Sequence, residues 1–173
     1  MSGFPENSPS GERAPVLVLG LGNILLSDDG VGPAVLQQMA EHESRWHGEV
    51  EFLDGGTQGL ALLGHLSGRR ALIIVDAVQK GEAPGTVYRL TLPELQNLSR
   101  QKASSGHESN AGELLAAAEL LNELPHQLFV VGVEPAKVRT GFGLSQAVEK
   151  ALPLAADQVA CLLNQLCLLA STK

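Results

Sequence analysis

Aromatic residues make up only 3% of this 173-residue chain, cysteine occurs twice, and 12 lysines and arginines face 19 aspartates and glutamates. Each scarcity excludes something. A net charge of −7 without any basic cluster argues against nucleic acid or an anionic membrane surface as the main partner. Cys161 and Cys167 lie in one helical-looking segment and match no zinc spacing, so both read as small core residues. No apolar stretch reaches about 18 residues without a polar interruption, which argues against membrane insertion as a helix. The opening "MSGFPENSPSGERAP" lacks the apolar core of a signal peptide, and its Pro, Ser and Gly content predicts a disordered tail over residues 1–15. A cytoplasmic location is the resulting expectation.

What remains is aliphatic: the 44% hydrophobic fraction is carried by Leu, Val and Ala, which suits helices packed on a buried sheet. The pattern predicts one domain over 16–173. "VLVLGL" opens it as a strand, followed by an acidic turn and a helical stripe from Val31 to Glu43. "EVEFLDGGT" reads as a second strand ending at Asp54, with a short apolar helix over 59–66 after it. "RRALIIVDAV" gives the most buried strand, stopping at Asp76. "GTVYRLT" follows Pro84 as an added edge strand, and Asn97–Asn110 reads as the longest loop. A helix over 111–121, the strand "QLFVVGVE" and a helical stretch from about Ser145 to Leu169 complete the chain, with Pro153 starting a new helix or kinking that stretch. The fold class is therefore α/β, with a twisted, mostly parallel five-stranded sheet and helices on both faces.

The turn "GLGNILLSDDGVG" resembles a phosphate cradle only superficially. A dinucleotide fingerprint would need glycine where Leu25 stands, and a P-loop would need Gly-Lys-Ser/Thr where the chain has Ser27-Asp28-Asp29-Gly30. Two carboxylates in such a turn repel a pyrophosphate and suit a cation or a proton. Capping of the next helix by Ser27 or Asp28 explains one of the two carboxylates. Right-handed crossovers bring the carboxyl ends of the parallel strands to one edge, where open α/β sheets bind ligands. That edge collects Asp28, Asp29, Asp54 and Asp76, with Asn23 in the same turn and Glu134 at the end of the last strand. Asp54 before Gly55-Gly56 also fits an Asx turn, and Glu134 before Pro135 fits a solvated loop. Asp76 directly ends a buried run, where an unpaired charge is costly. His107 falls in the "SSGH" stretch; His42, His47, His65 and His126 read as surface positions without ligand spacing.

The blocks "VLVLGLGNILLSDDGVG", "LDGGTQGLALL", "LIIVDAV" with "APGTV", "SSGH" and "VVGVEPAKVRTGFGLSQAVEKALP" resemble, in this order from Val16 to Pro153, the hydrogenase maturation endopeptidase family. The resemblance implies an aspartate-based peptidase that removes the C-terminal extension of a nickel-iron hydrogenase large-subunit precursor. It further implies Asp29, Asp76 and His107 as metal-contacting residues, with Asp29 and Asp76 catalytic. The metal would be nickel already placed in the substrate, with no resident cofactor. The family often has glutamate where this chain has Asp29, and often glycine where Asn110 follows Glu108-Ser109. Two other classes compete: a non-catalytic nickel-binding accessory protein with the same ligands, and a nucleotide-binding α/β enzyme, which the missing fingerprint disfavours.

Overall fold

The computed structural model describes residues 13–46, 48–102 and 110–170. Strand β1 (Val16–Leu21) is buried throughout and is followed by a 3-10 turn at Asp28–Gly30, helix α1 (Val31–Met39) and a second 3-10 segment at Ala40–Trp46. Strand β2 (Val50–Gly56) leads through a 3-10 turn into the single helical turn α2 (Leu63–Leu66). Then come β3 (Ala71–Ala77), β4 (Val87–Leu90), α3 (Leu92–Lys102), α4 (Asn110–Leu120), β5 (Gln127–Val133) and α5 (Gln146–Ala170). The sheet order is β2-β1-β3-β5-β4. All neighbours are parallel except β4, which joins β5 antiparallel at the edge.

The two-residue period of the strands divides the core in two. Val16, Val18, Ile73, Val75, Val131 and Val133 face the layer of α1 and α5. Leu17, Leu19, Leu21, Leu72, Ile74 and Val130 face the layer of α2, α3 and α4. Helices thus cover both faces, as the unbroken apolar run of β3 requires.

The glycines of the first turn serve backbone packing. A Cβ on Gly32 would stand 2.2 Å from the Leu21 carbonyl oxygen and 2.5 Å from that of Val75. Gly22, with φ +128°, would place one 1.8 Å from the Asp29 carbonyl oxygen. The first turn of α1 is therefore pressed against the ends of β1 and β3, and the glycines are used by that close approach rather than by a ligand.

Four expectations are corrected. Residues 97–102 are helical, because Thr91 and Glu94 form the start signal of α3: the Thr91 N–H and hydroxyl both donate to Glu94 Oε2 at 2.8 Å, a capping-box arrangement. The helical stripe after Val31 changes to 3-10 geometry at Ala40. Pro153 lies inside a continuous α5 and starts no new helix; the buried stripe Val148, Ala151, Ala155, Val159 and Leu162 holds both sides of it against the sheet. Cys161 is exposed, since Val159, Leu162, Leu163 and Leu166 define the buried face and residue 161 turns away from it; Cys167 is half-buried. At the other end, the carbonyl of Pro15 accepts hydrogen bonds from the N–H groups of Arg70 and Ala71, and that of Ala14 from Arg69 Nη1. Among the described residues no helix is long and apolar enough to cross a membrane.

Candidate active site

Asp76 is the penultimate residue of β3, flanked by β1 and β5, and shares the face of Leu72 and Ile74. It is 2% exposed. Its Oδ1 accepts the N–H of Ala77 at 2.8 Å, whereas its buried Oδ2 has no hydrogen-bond partner among the described residues. Burial, followed by the charge of Asp29, pushes its pKa up to about 7; the amides of Ala77 and of Ala111, in the first turn of α4, offset only part of this. A carboxyl in this state exchanges a proton near neutral pH and has one oxygen aimed at nothing in the described protein.

Asp29 is half-buried in the 3-10 turn. Its Oδ2 accepts the N–H of Asn23 at 2.7 Å, and the Asn23 side chain in turn accepts the N–H of Leu25 at 2.9 Å. Asn23 thus shapes the turn that aims Asp29.

Asp28, its neighbour, has a different role. It is 0% exposed and its carboxylate accepts the N–H groups of Ala136 at 2.8 Å, Lys137 at 3.0 Å and Ser145 at 2.5 Å. Burial alone would raise its pKa, but these donors outweigh it and hold the carboxyl below the usual range. Neither Ser27 nor Asp28 caps the helix as expected, for no side-chain cap bond is made at the 3-10 turn or at α1. The segment 135–145 offers better donors.

Asp54 is exposed at the edge strand, opposite Gly20 in the β1 register, and its Oδ1 accepts the N–H of Gly56 at 3.0 Å, the Asx-turn geometry. Glu134 is buried rather than solvated, at 4% exposure. It receives the N–H groups of Lys80 at 2.7 Å and Gly81 at 3.2 Å, and the Tyr88 hydroxyl at 2.6 Å. Burial opposes ionisation there too, yet these bonds keep its pKa low. It ties the loop after β3 to the end of β5, a role its sequence position did not reveal. His107 lies outside the described residues, as does His47. Among the described residues no group of three or more His, Cys, Asp or Glu side chains is arranged to hold a metal.

The structure thus separates four carboxylates of one sheet edge by function. Asp28 and Glu134 are satisfied by several donors each and organise loops. Asp76 and Asp29 remain as an electrostatically coupled pair, one protonating near neutrality and the other half-exposed beside it. Such a pair accepts a proton from water or holds a cation that relieves the repulsion.

Residues 33–161 match the sequence profile of the hydrogenase maturation protease family. The hydrogenase 2 maturation protease of Escherichia coli K12 is 38% identical over 151 residues, covering 87% of this chain and 91% of that one. The hydrogenase expression/formation protein HupD of Rhodobacter capsulatus is 35% identical, covering 75% of this chain and 61% of its own. Among solved structures, the hydrogenase maturating endopeptidase HybD from E. coli superimposes with a TM-score of 0.73 at 34% identity, covering 87% of this chain and 92% of that one. The [NiFe] hydrogenase maturation protease HybD from Thermococcus kodakarensis gives 0.67 at 25% identity, over 85% and 97%.

Proposed function

Because the chain belongs to the hydrogenase maturation protease family and is a peptidase, we propose that it cleaves the C-terminal extension from a nickel-iron hydrogenase large-subunit precursor. The substrate in this reading is the precursor with nickel already in place, and the protease keeps no metal of its own. The observation that carries it is the orphaned Oδ2 of Asp76, buried beside Asp29. A carboxyl held without a partner is destabilising unless a cation or proton arrives with the substrate.

Asp76 and Asp29 would contact the substrate's nickel, joined by His107. Two carboxylates and an imidazole form a donor set that suits nickel and leaves positions for the precursor's own ligands. Bound there, the nickel supplies Lewis acidity toward the scissile carbonyl. Asp76 and Asp29 orient the attacking water, and one of the two takes its proton; a carboxyl with a pKa of about 7 is well matched to that task near neutral pH. The backbone N–H of Asn23, bonded to Asp29 Oδ2, keeps this carboxylate in a fixed rotamer while its other oxygen serves the substrate. The accessory-protein reading is not favoured, since the relatives are named as proteases. Nucleotide binding is disfavoured because backbone contacts consume the glycines of the turn.

The test is to offer the protein purified precursor in nickel-loaded and nickel-free forms and to follow the precursor's mass. Shortening of the loaded form alone supports the reading; equal cleavage of both forms would reduce the protein to a peptidase that does not sense the metal.

A further inference from the structure

Beside the candidate site the chain exposes an unusual group of apolar side chains. Ile24 is 60% exposed, Leu25 49%, Val138 42% and Phe142 85%. Scattered exposed apolar residues are ordinary, but a contiguous group marks an interaction surface. These four belong to two segments that are knitted together. The Leu25 carbonyl accepts the N–H of Gly141 at 2.9 Å, the Ser27 N–H donates to the Gly141 carbonyl at 2.9 Å, and the Asp28 N–H donates to the Lys137 carbonyl at 3.3 Å. Ser27 and Val138 pair as an antiparallel bridge.

The presentation is built and held. Asp28 clasps the segment 135–145 near both ends, through Ala136 and Lys137 on one side and Ser145 on the other. Ser27 adopts φ 54°, an uncommon conformation for a residue with a side chain, and its hydroxyl donates to the Arg139 carbonyl at 3.2 Å. Pro135 is buried and Leu144 half-buried, so the loop is anchored while Phe142 stays in water. Pre-ordering of this kind lowers the entropy lost when a partner settles on the loop. The same turn reaches the site, since Asn23, next to Ile24 in the chain, donates its N–H to Asp29. Finally, Lys137 and Arg139 are exposed on a chain of net charge −7, and neither makes an ion pair among the described residues.

We propose that Ile24, Leu25, Val138 and Phe142, edged by Lys137 and Arg139, form the surface on which the precursor docks. Phe142 is its apolar anchor, and the two cations meet carboxylates of the precursor. This rests on the peptidase reading above and adds where the substrate is held: on a platform next to the reacting carboxylates, with Asp28 as the residue that positions the platform. The occupant is a precursor segment that carries an apolar side chain and acidic neighbours.

Phe142→Ser and Ile24→Ser test it, with Leu120→Ser as control. Leu120 is 83% exposed but closes α4, on the order of 15 Å along the helix from the Ala111 turn that faces Asp76. Two readings are taken on nickel-loaded precursor: processing kinetics, and equilibrium binding in an Asp76→Asn background. Phe142→Ser should raise the half-saturating precursor concentration by about tenfold or more, as loss of an interface anchor does, with the maximal rate within about twofold. Its binding should weaken in parallel, binding of wild type and Phe142→Ser alike should fall as salt screens Lys137 and Arg139, and Leu120→Ser should change nothing. Unchanged half-saturation and binding in both Phe142→Ser and Ile24→Ser would overturn the docking surface. So would self-association of the wild type that Phe142→Ser abolishes without altering precursor affinity. Wild-type protein that binds precursor through Phe142 yet never cuts it would contradict the peptidase reading and leave the surface standing.

Discussion

Asp28 and Asp76 lie on the same sheet edge, are both buried, and are moved by their surroundings in opposite directions. Asp28 accepts three backbone N–H groups and its pKa falls despite burial. Asp76 accepts one through Oδ1, feels Asp29, and its pKa rises to about 7. The same side chain is thereby a structural clasp in one place and a reactive group in the other: burial and the charge of Asp29 dominate at Asp76, whereas the donors of the segment 135–145 outweigh burial at Asp28.

This divergence predicts the pH dependence of stability in the metal-free protein. Between about pH 4 and 7 the folded state binds a proton at Asp76 that the unfolded state has released, so that contribution is lost as pH rises, on the order of 4 kcal/mol in total. Asp28 and Glu134 have depressed folded pKa values, so their contribution is present above their unfolded values and lost as pH falls below about 4. Asp76→Asn should therefore gain in melting temperature relative to wild type by more at pH 8 than at pH 5. A pH-independent difference would show that folded Asp76 is already ionised at pH 5, its pKa not raised by its surroundings.

Asp28→Asn leaves one acceptor oxygen for three donors and turns an amide nitrogen toward them. A cost of about 3 kcal/mol follows from the lost charge-assisted bonds, or a fall in melting temperature of about 10 °C. Asp54→Asn, which alters one exposed Asx turn, should shift it by no more than about 2 °C. Thermal denaturation of the pair checks both.

The single tyrosine of the chain reports on Glu134. Burial first, then the hydrogen bond and charge of Glu134, raise the Tyr88 pKa well above its ordinary value. Ultraviolet titration of the folded protein should show no tyrosinate at pH 11, and Glu134→Gln should bring the onset down. Ordinary titration near pH 10 would mean that the Tyr88–Glu134 bond at 2.6 Å does not persist in solution.

Gly32→Ala should prevent folding, because its Cβ would lie 2.2 Å from a backbone oxygen of β1 and neither element can retreat. Gly64→Ala, with nothing within 4 Å, should be neutral or slightly stabilising. Circular dichroism distinguishes the two outcomes.

The architecture was legible because buried parallel strands announce themselves as apolar runs: β1 and β3 read directly from "VLVLGL" and "ALIIVDA", and their carboxyl ends located the acidic edge. Helix α3 was missed through its polarity, although Thr91-Leu92-Pro93-Glu94 contained the capping box that starts it. Asp76 stood out because a carboxylate ending a five-residue buried run has few ways to be satisfied. The fates of Asp28 and Glu134 were not readable, since their donors come from segments 46 to 117 residues away in the chain, and only tertiary structure brings such donors together. The same holds for Phe142, whose exposure depends on how 135–145 is clasped.

The most direct test of the account is processing of nickel-loaded precursor by Asp76→Asn, with circular dichroism on the same preparation and Asp54→Asn as a comparison for charge removal at the same edge. Asparagine retains the acceptor for the Ala77 N–H but removes the charge that a metal ligand or proton acceptor needs. The account predicts a folded Asp76→Asn protein whose processing rate falls by at least about a hundredfold. A folded Asp76→Asn protein that still shortens the precursor at near the wild-type rate would contradict it.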